Sequence, residues 1–166
     1  QIDDAIARGF CGIRLDSIGL TDPATADVVR EGTVTEALEA LERGQSVVLY
    51  SAQGPDDPVI AATKAHLAAL GLTPERLGAQ QGLILRELIQ RKTDLKRLCV
   101  AGGDTGGHAV RQLGIFALEV IAPLAPGGPL CRVSAHEARF DGLEIVLKGG
   151  QVGQPDFYDV ILRGSA

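Results

Sequence analysis

Short apolar, β-branched runs at residues 46–50, 97–101 and 116–121 alternate along this chain with stretches whose apolar residues recur at helical spacing. A strand that reads as an unbroken apolar run is one buried on both faces, and parallel neighbours need a covering crossover between them. The alternation therefore predicts an α/β fold, a three-layer αβα sandwich around a mostly parallel or mixed sheet. Two further strand-like runs, 130–134 and 143–148, are joined through Asp141 and Gly142 and read as a late β-hairpin.

The segments between the strands carry their own signals. Residues 2–9 read as the end of a helix closed by Gly9, followed by a strand over 10–15. Val34, Ala37, Leu38 and Leu41 define an amphipathic helix over 33–42, with Thr33 and Glu36 as a capping box. A helix over 61–70 ends at Gly71, and Thr73 followed by Pro74 opens another as N-cap and first helical residue. Its apolar face is Leu77, Ile84, Leu85, Leu88 and Ile89. Gly78 and Gly82 weaken that helix, so close packing against a neighbour is expected there. A short helix is expected over 108–113, a rigid loop over 123–129 and a last helix over 156–162.

Residues 1–166 are expected to form one domain, since 166 residues fit a single core and no interior linker appears. With 16 basic against 21 acidic residues, the net charge of −5 argues against nucleic acid or an anionic membrane as a partner held by bulk charge. No run approaches the roughly 18 apolar residues that a membrane-spanning helix needs. Cys11, Cys99 and Cys131 lie too far apart for a zinc knuckle or redox pair, and their odd number suits a reducing compartment. Cys99, in an apolar run, is expected to be a small buried hydrophobe, and the cytoplasm is the expected location. The chain has no methionine and begins at Gln1, which predicts a piece of something longer.

Chemistry is concentrated in two glycine-rich turns. The first, Gly102, Gly103, Asp104, Thr105, Gly106 and Gly107, lies between a predicted strand and a predicted helix. Glycine lets backbone approach a ligand with no Cβ in the way. A helix N-terminus adds unpaired N–H groups and partial positive charge, which together suit phosphate. The run is neither a Walker A loop nor a G-x-G-x-x-G fingerprint, because Asp104 stands where the second glycine would be. Asp104 could meet a Mg²⁺ carried by a nucleotide, or cap the helix and point away. The second turn, Lys148, Gly149, Gly150, Gln151, Val152 and Gly153, again lies between a strand and a helix and sets a lysine beside accessible backbone. His108 could touch a phosphate or face solvent, and no residues show hydrolase or metalloenzyme spacing.

The segments 101–105 and 110–115, with 125–129 and 147–153 after them, resemble the nucleotide-binding C-terminal domain of the four-carbon acid sugar kinase family, formerly labelled Hrp-dependent type III effectors. The resemblance runs through essentially the whole chain. It implies a cytoplasmic two-domain kinase whose separate N-terminal domain binds an acid sugar such as threonate, erythronate or a 3-oxo-tetronate. The C-terminal domain would bind ATP with Mg²⁺, and the phosphoryl group would go to the terminal hydroxyl. On this likeness Gly102, Gly103, Asp104 and Thr105 line the triphosphate, and Gly106 and Gly107 of the same run are expected to bind the nucleotide with them. Lys148, Gly149, Gly150 and Gly153 form the opposing loop. Many relatives have serine where this chain has Gly106, and Ser-Gly-x-Phe-Gly where it has residues 149–153. In relatives a serine-bearing strand and loop that contacts ATP precedes the position of Gln1.

Phosphoryl transfer needs positioning and charge neutralisation more than covalent chemistry. The base would lie on the N-terminal domain, so residues 1–166 alone are expected to bind ATP or ADP without turnover. The alternative is a non-catalytic module sensing a nucleotide or sugar phosphate. A dinucleotide-dependent dehydrogenase is disfavoured by the missing fingerprint. The sequence leaves a homodimer open.

Overall fold

The computed structural model describes residues 1–164, without the side chains of Asp104, Thr105 and Ala109. Its elements run α1 (Ile2–Ala7), β1 (Cys11–Arg14), α2 (Ser17–Thr21), α3 (Ala26–Glu42), β2 (Val47–Tyr50), α4 (Pro58–Ala69) and α5 (Glu75–Arg91). They continue with β3 (Arg97–Ala101), α6 (Gly103–Gln112), β4 (Ile115–Ala122), β5 (Leu130–Ala135), β6 (Glu144–Lys148) and α7 (Phe157–Arg163).

The α/β class holds, but the strands form two sheets rather than one. β1 and β2 pair in parallel, while the larger sheet has the order β3-β6-β5-β4. Within it β3 runs parallel to β6, and β5 is antiparallel to both β6 and β4, so the late hairpin is present.

Side-chain alternation explains the layers. Leu98, Val100, Val133 and Ile145 face one way from the larger sheet and pack with Ile89, Leu113 and Phe140. Val146 and Leu130 face the other way against Phe157 and Ile161 of α7. Around the smaller sheet, Ile13 and Leu15 pack with Leu20, Val34, Ala37, Ile84 and Leu88. Helix α5 thus contributes buried residues to two cores, as its apolar face predicts.

Three expectations need correction. The capping box at Thr33 and Glu36 is not a cap, because α3 starts at Ala26. Thr33 lies inside the helix, where its Oγ1 donates to the Val29 carbonyl at 2.9 Å, satisfying a hydroxyl that α3 buries. At α5 the first helical residue is Glu75, with Pro74 one place earlier than expected in the N-cap position. Most relevant to the site, α6 starts at Gly103 and not at 108. The glycine run is therefore mostly the first turns of a helix, and only Gly102 is left as the turn.

A cleft of about 860 Å³ separates the two sheets. One wall is β2 with the following Ser51, and the other is β3 from Arg97 to Ala101. Both walls are therefore strand edges, and both strands run parallel within their own sheets. Cys99 is half-buried at this wall instead of enclosed, and its crowded thiol is pushed up to about 12 by burial.

Candidate functional site

The parallel register of β3 and β6 sets Ala101 opposite Lys148. The two glycine turns leave the sheet from neighbouring strands at the same end, where open α/β folds bind ligands. The Gly102 N–H donates to the Lys148 carbonyl at 2.9 Å, tying the two turns together at their roots.

Gly102 has φ +113°, a conformation that side chains resist, and this sharp turn converts β3 into α6. The Gly106 N–H returns to the Gly102 carbonyl at 2.9 Å and closes the first turn of the helix. Gly103 and Gly107 are exposed, and a Cβ built on Gly103 meets nothing within 4 Å. Gly106 is buried. Asp104 and Thr105 were expected to line a triphosphate, and their side chains lie outside the described residues.

The second turn is held from behind. Gly149 and Gly150 are exposed, and Gly150 has open space where a side chain would be. Gly153 has φ +90° and lies against Phe157. Lys148 was expected as a mobile charge beside the backbone, yet it is 4% exposed. Its Nζ donates to the carbonyls of Gly149 at 3.2 Å, Gly150 at 3.1 Å and Val152 at 3.0 Å, and to Gln1 Oε1 at 2.9 Å. The ammonium also stands 5.8 Å from the ring centres of both Phe157 and Tyr158. Burial lowers its pKa from the ordinary lysine value, with Cys99 nearby acting in the opposite sense.

Gln1 is the residue that the sequence did not single out. Its Nε2 donates to the carbonyls of Val152 at 3.0 Å, Gly153 at 2.8 Å and Gln154 at 3.0 Å. Nothing near Gln1 in the sequence signals this, because its partners lie about 150 positions away. His108 is also placed by packing. Its ring lies where a Cβ on Gly78 would be, with Cδ2 at 2.7 Å, so Gly78 permits the close approach of α5 and α6.

Two adjacent turns of accessible backbone, one leading into a ten-residue helix, suit a polyphosphate. Among the described residues, no group of three or more His, Cys, Asp or Glu side chains could hold a metal ion.

The model of a family described as "Nucleotide-binding C-terminal domain" matches residues 1–158. The chain belongs to this family. Among curated proteins, the family domain is 43% identical to a 3-oxo-isoapionate kinase of Paraburkholderia graminis, over 99% of this chain and 36% of that protein. It is 32% identical to a 3-oxo-tetronate kinase of Cupriavidus necator, over 98% of this chain and 34% of that protein. The domain thus spans about a third of the length of these curated relatives. The likeness to four-carbon acid sugar kinases is borne out at the level of the family. The fold recurs in the crystal structure of a Haemophilus influenzae protein of family DUF1537, with TM-score 0.68 and 17% identity, covering 97% of this chain and 37% of that one. It recurs again in a DUF1537 domain from Bordetella bronchiseptica, solved as a domain-swapped dimer with bound citrate, with TM-score 0.65 and 15% identity over 95% of this chain and 36% of that one.

Proposed function

We propose that this domain holds ATP for a kinase that phosphorylates the terminal hydroxyl of a four-carbon acid sugar. The observation that carries the reading is the pairing of the two glycine turns at the ends of β3 and β6. Gly102 and Gly103 with the start of α6 present backbone to one side of the polyphosphate, and Gly149 and Gly150 present it to the other. Asp104 and Thr105 belong to the same proposal through their place in the first turn. Mg²⁺ would arrive with the nucleotide and neutralise phosphate charge, with Asp104 as the carboxylate nearest to it in sequence. The names of the relatives support a 3-oxo sugar acid as the acceptor class.

The acceptor and its base would belong to a separate N-terminal domain, and residues 1–166 alone would bind without turnover. The cleft between the edges of β2 and β3 gives this reading structural support, because a strand preceding α1 could complete the sheet there. A homodimer is the further proposal on partners. Edge strand β4 exposes Phe116 (62%) and Val120 (63%) on one face, an apolar stripe suited to self-association.

Calorimetry with Mg-ATP tests the nucleotide reading. Binding is expected, and the absence of both heat and a thermal shift at millimolar nucleotide would refute it. Gly103→Val keeps the fold, since open space surrounds that position, and should abolish binding. Unchanged affinity would reject the assignment of this turn.

A further inference from the structure

The contacts of Lys148 and Gln1 share one property: all of those made to the turn end on carbonyl oxygens. Lys148 takes the carbonyls of Gly149, Gly150 and Val152, while Gln1 takes those of Val152, Gly153 and Gln154. Gln1 Oε1 then accepts from Lys148, closing the two side chains into one unit. In a trans peptide the carbonyl and the next N–H point in opposite directions, and there are no cis peptides among the described residues. Drawing these carbonyls toward the Lys148 ammonium and the Gln1 side-chain amide therefore turns the N–H groups of Gly150, Gln151, Gly153 and Gln154 away from that pair. Residue 155 is proline and has no N–H to present. A turn whose carbonyls are occupied on one side and whose amides are free to point to the other is an anion-binding concavity.

We propose that Lys148 and Gln1 are positioning residues, which shape the 149–154 backbone into an anion-presenting turn without touching the nucleotide themselves. The inference rests on the reading that this turn faces nucleotide phosphate. Lysine acts here through its ability to satisfy several acceptors at once, not through its charge at the ligand. An ammonium has three protons for the four acceptors around it, so it is fully engaged by the protein. This arrangement also explains how the turn functions with valine at 152: the shape comes from hydrogen bonds behind it.

Gln1→Leu and Lys148→Met separate this role from direct phosphate contact. If Lys148 is itself the phosphate ligand, Gln1→Leu leaves affinity unchanged or raises it by freeing the ammonium. If the pair positions the turn, both variants weaken Mg-ATP binding by about tenfold or more. Hydrogen exchange over residues 149–156, measured without nucleotide, should quicken in both variants while β3 and β5 stay as protected as in the wild type. Because that measurement requires only that β3 and β5 remain protected, general unfolding is told apart from loosening of the turn. Equal exchange in wild type and variants overturns the clamp, and loss of affinity in Lys148→Met alone overturns it in favour of direct contact. A wild-type chain that binds no Mg-ATP sinks the nucleotide reading and the role of the clamp in it, while the exchange result still decides whether the clamp shapes the turn.

Discussion

Gly153→Ala gives a sharp test of how the second turn is built. The backbone there has φ +90°, and an added Cβ would lie 2.7 Å from Phe157 Cδ1 and 2.8 Å from its Cβ. Carbon atoms in ordinary contact stand about 3.5–4.0 Å apart, so the ring must retreat by roughly 1 Å. Phe157 is 2% exposed and packs with Leu130, Val146 and Ile161, which leaves little room for that movement. Left-handed backbone costs a non-glycine residue about 1–2 kcal/mol, and overpacking a core costs about 1–3 kcal/mol. The two effects together destabilise by about 2–5 kcal/mol. For a domain of this size that lowers the melting temperature by roughly 4–20 °C. Gly150→Ala is the matched control, since its φ is not positive and no atom lies within 4 Å of the added Cβ. Thermal unfolding followed by circular dichroism should show Gly153→Ala melting well below the wild type and Gly150→Ala melting close to it. Equal melting of the two variants would refute the packing argument.

Other outcomes follow from single contacts. The Asp57 carboxylate accepts from the backbone amides of Gln53 and Val59 and pairs with Arg14, which together hold its pKa below the ordinary value. Because the folded pKa is depressed, its contribution is present above the unfolded value near 4 and is lost as pH falls through the acid range. Melting temperature should drop more steeply between pH 5 and 3 for the wild type than for Asp57→Asn. Gly78→Ala gains helix propensity but collides with His108, so the variant is expected to lose stability. In a double-mutant cycle, His108→Ala should recover about 1 kcal/mol of the cost of Gly78→Ala, and simple additivity would refute the contact. Cys99 should resist iodoacetamide at pH 8 although it lines the cleft, because a thiol pushed up to about 12 is almost wholly protonated there. Mass spectrometry of the alkylated peptides reads this directly.

Much of the fold was legible because it is local. The strands at 97–101 and 46–50 announce themselves as apolar runs, and the face of α5 follows from helical spacing. The start of α6 was hidden because glycine is a poor helix former, so 102–107 reads as a loop. Packing on α5 overrides that preference, through the contact of His108 with Gly78. The adjacency of the two glycine turns depends on β3 pairing with β6, and a break between β2 and β3 depends on strand order. Neither is encoded in spacing along the chain. The same holds for Gln1, whose partner Lys148 lies 147 positions away.

Helix α5 carries a consequence for how the molecule comes apart. It gives Ile84 and Leu88 to the core around β1 and β2, and Ile89 to the core of the larger sheet. No strand pairing links the two sheets among the described residues. Cooperativity between the halves then passes largely through the shared helix, with the Gln1 contacts to the second turn and the Arg8–Asp159 pair as smaller links, and unfolding one half strips buried area from the helix that supports the other. A chain with α5 intact should melt in a single transition. A polar residue at Ile84 would uncouple the halves and let the smaller sheet open first. Helix α5, which holds none of the residues proposed to meet phosphate, would thus decide whether the domain behaves as one unit or two.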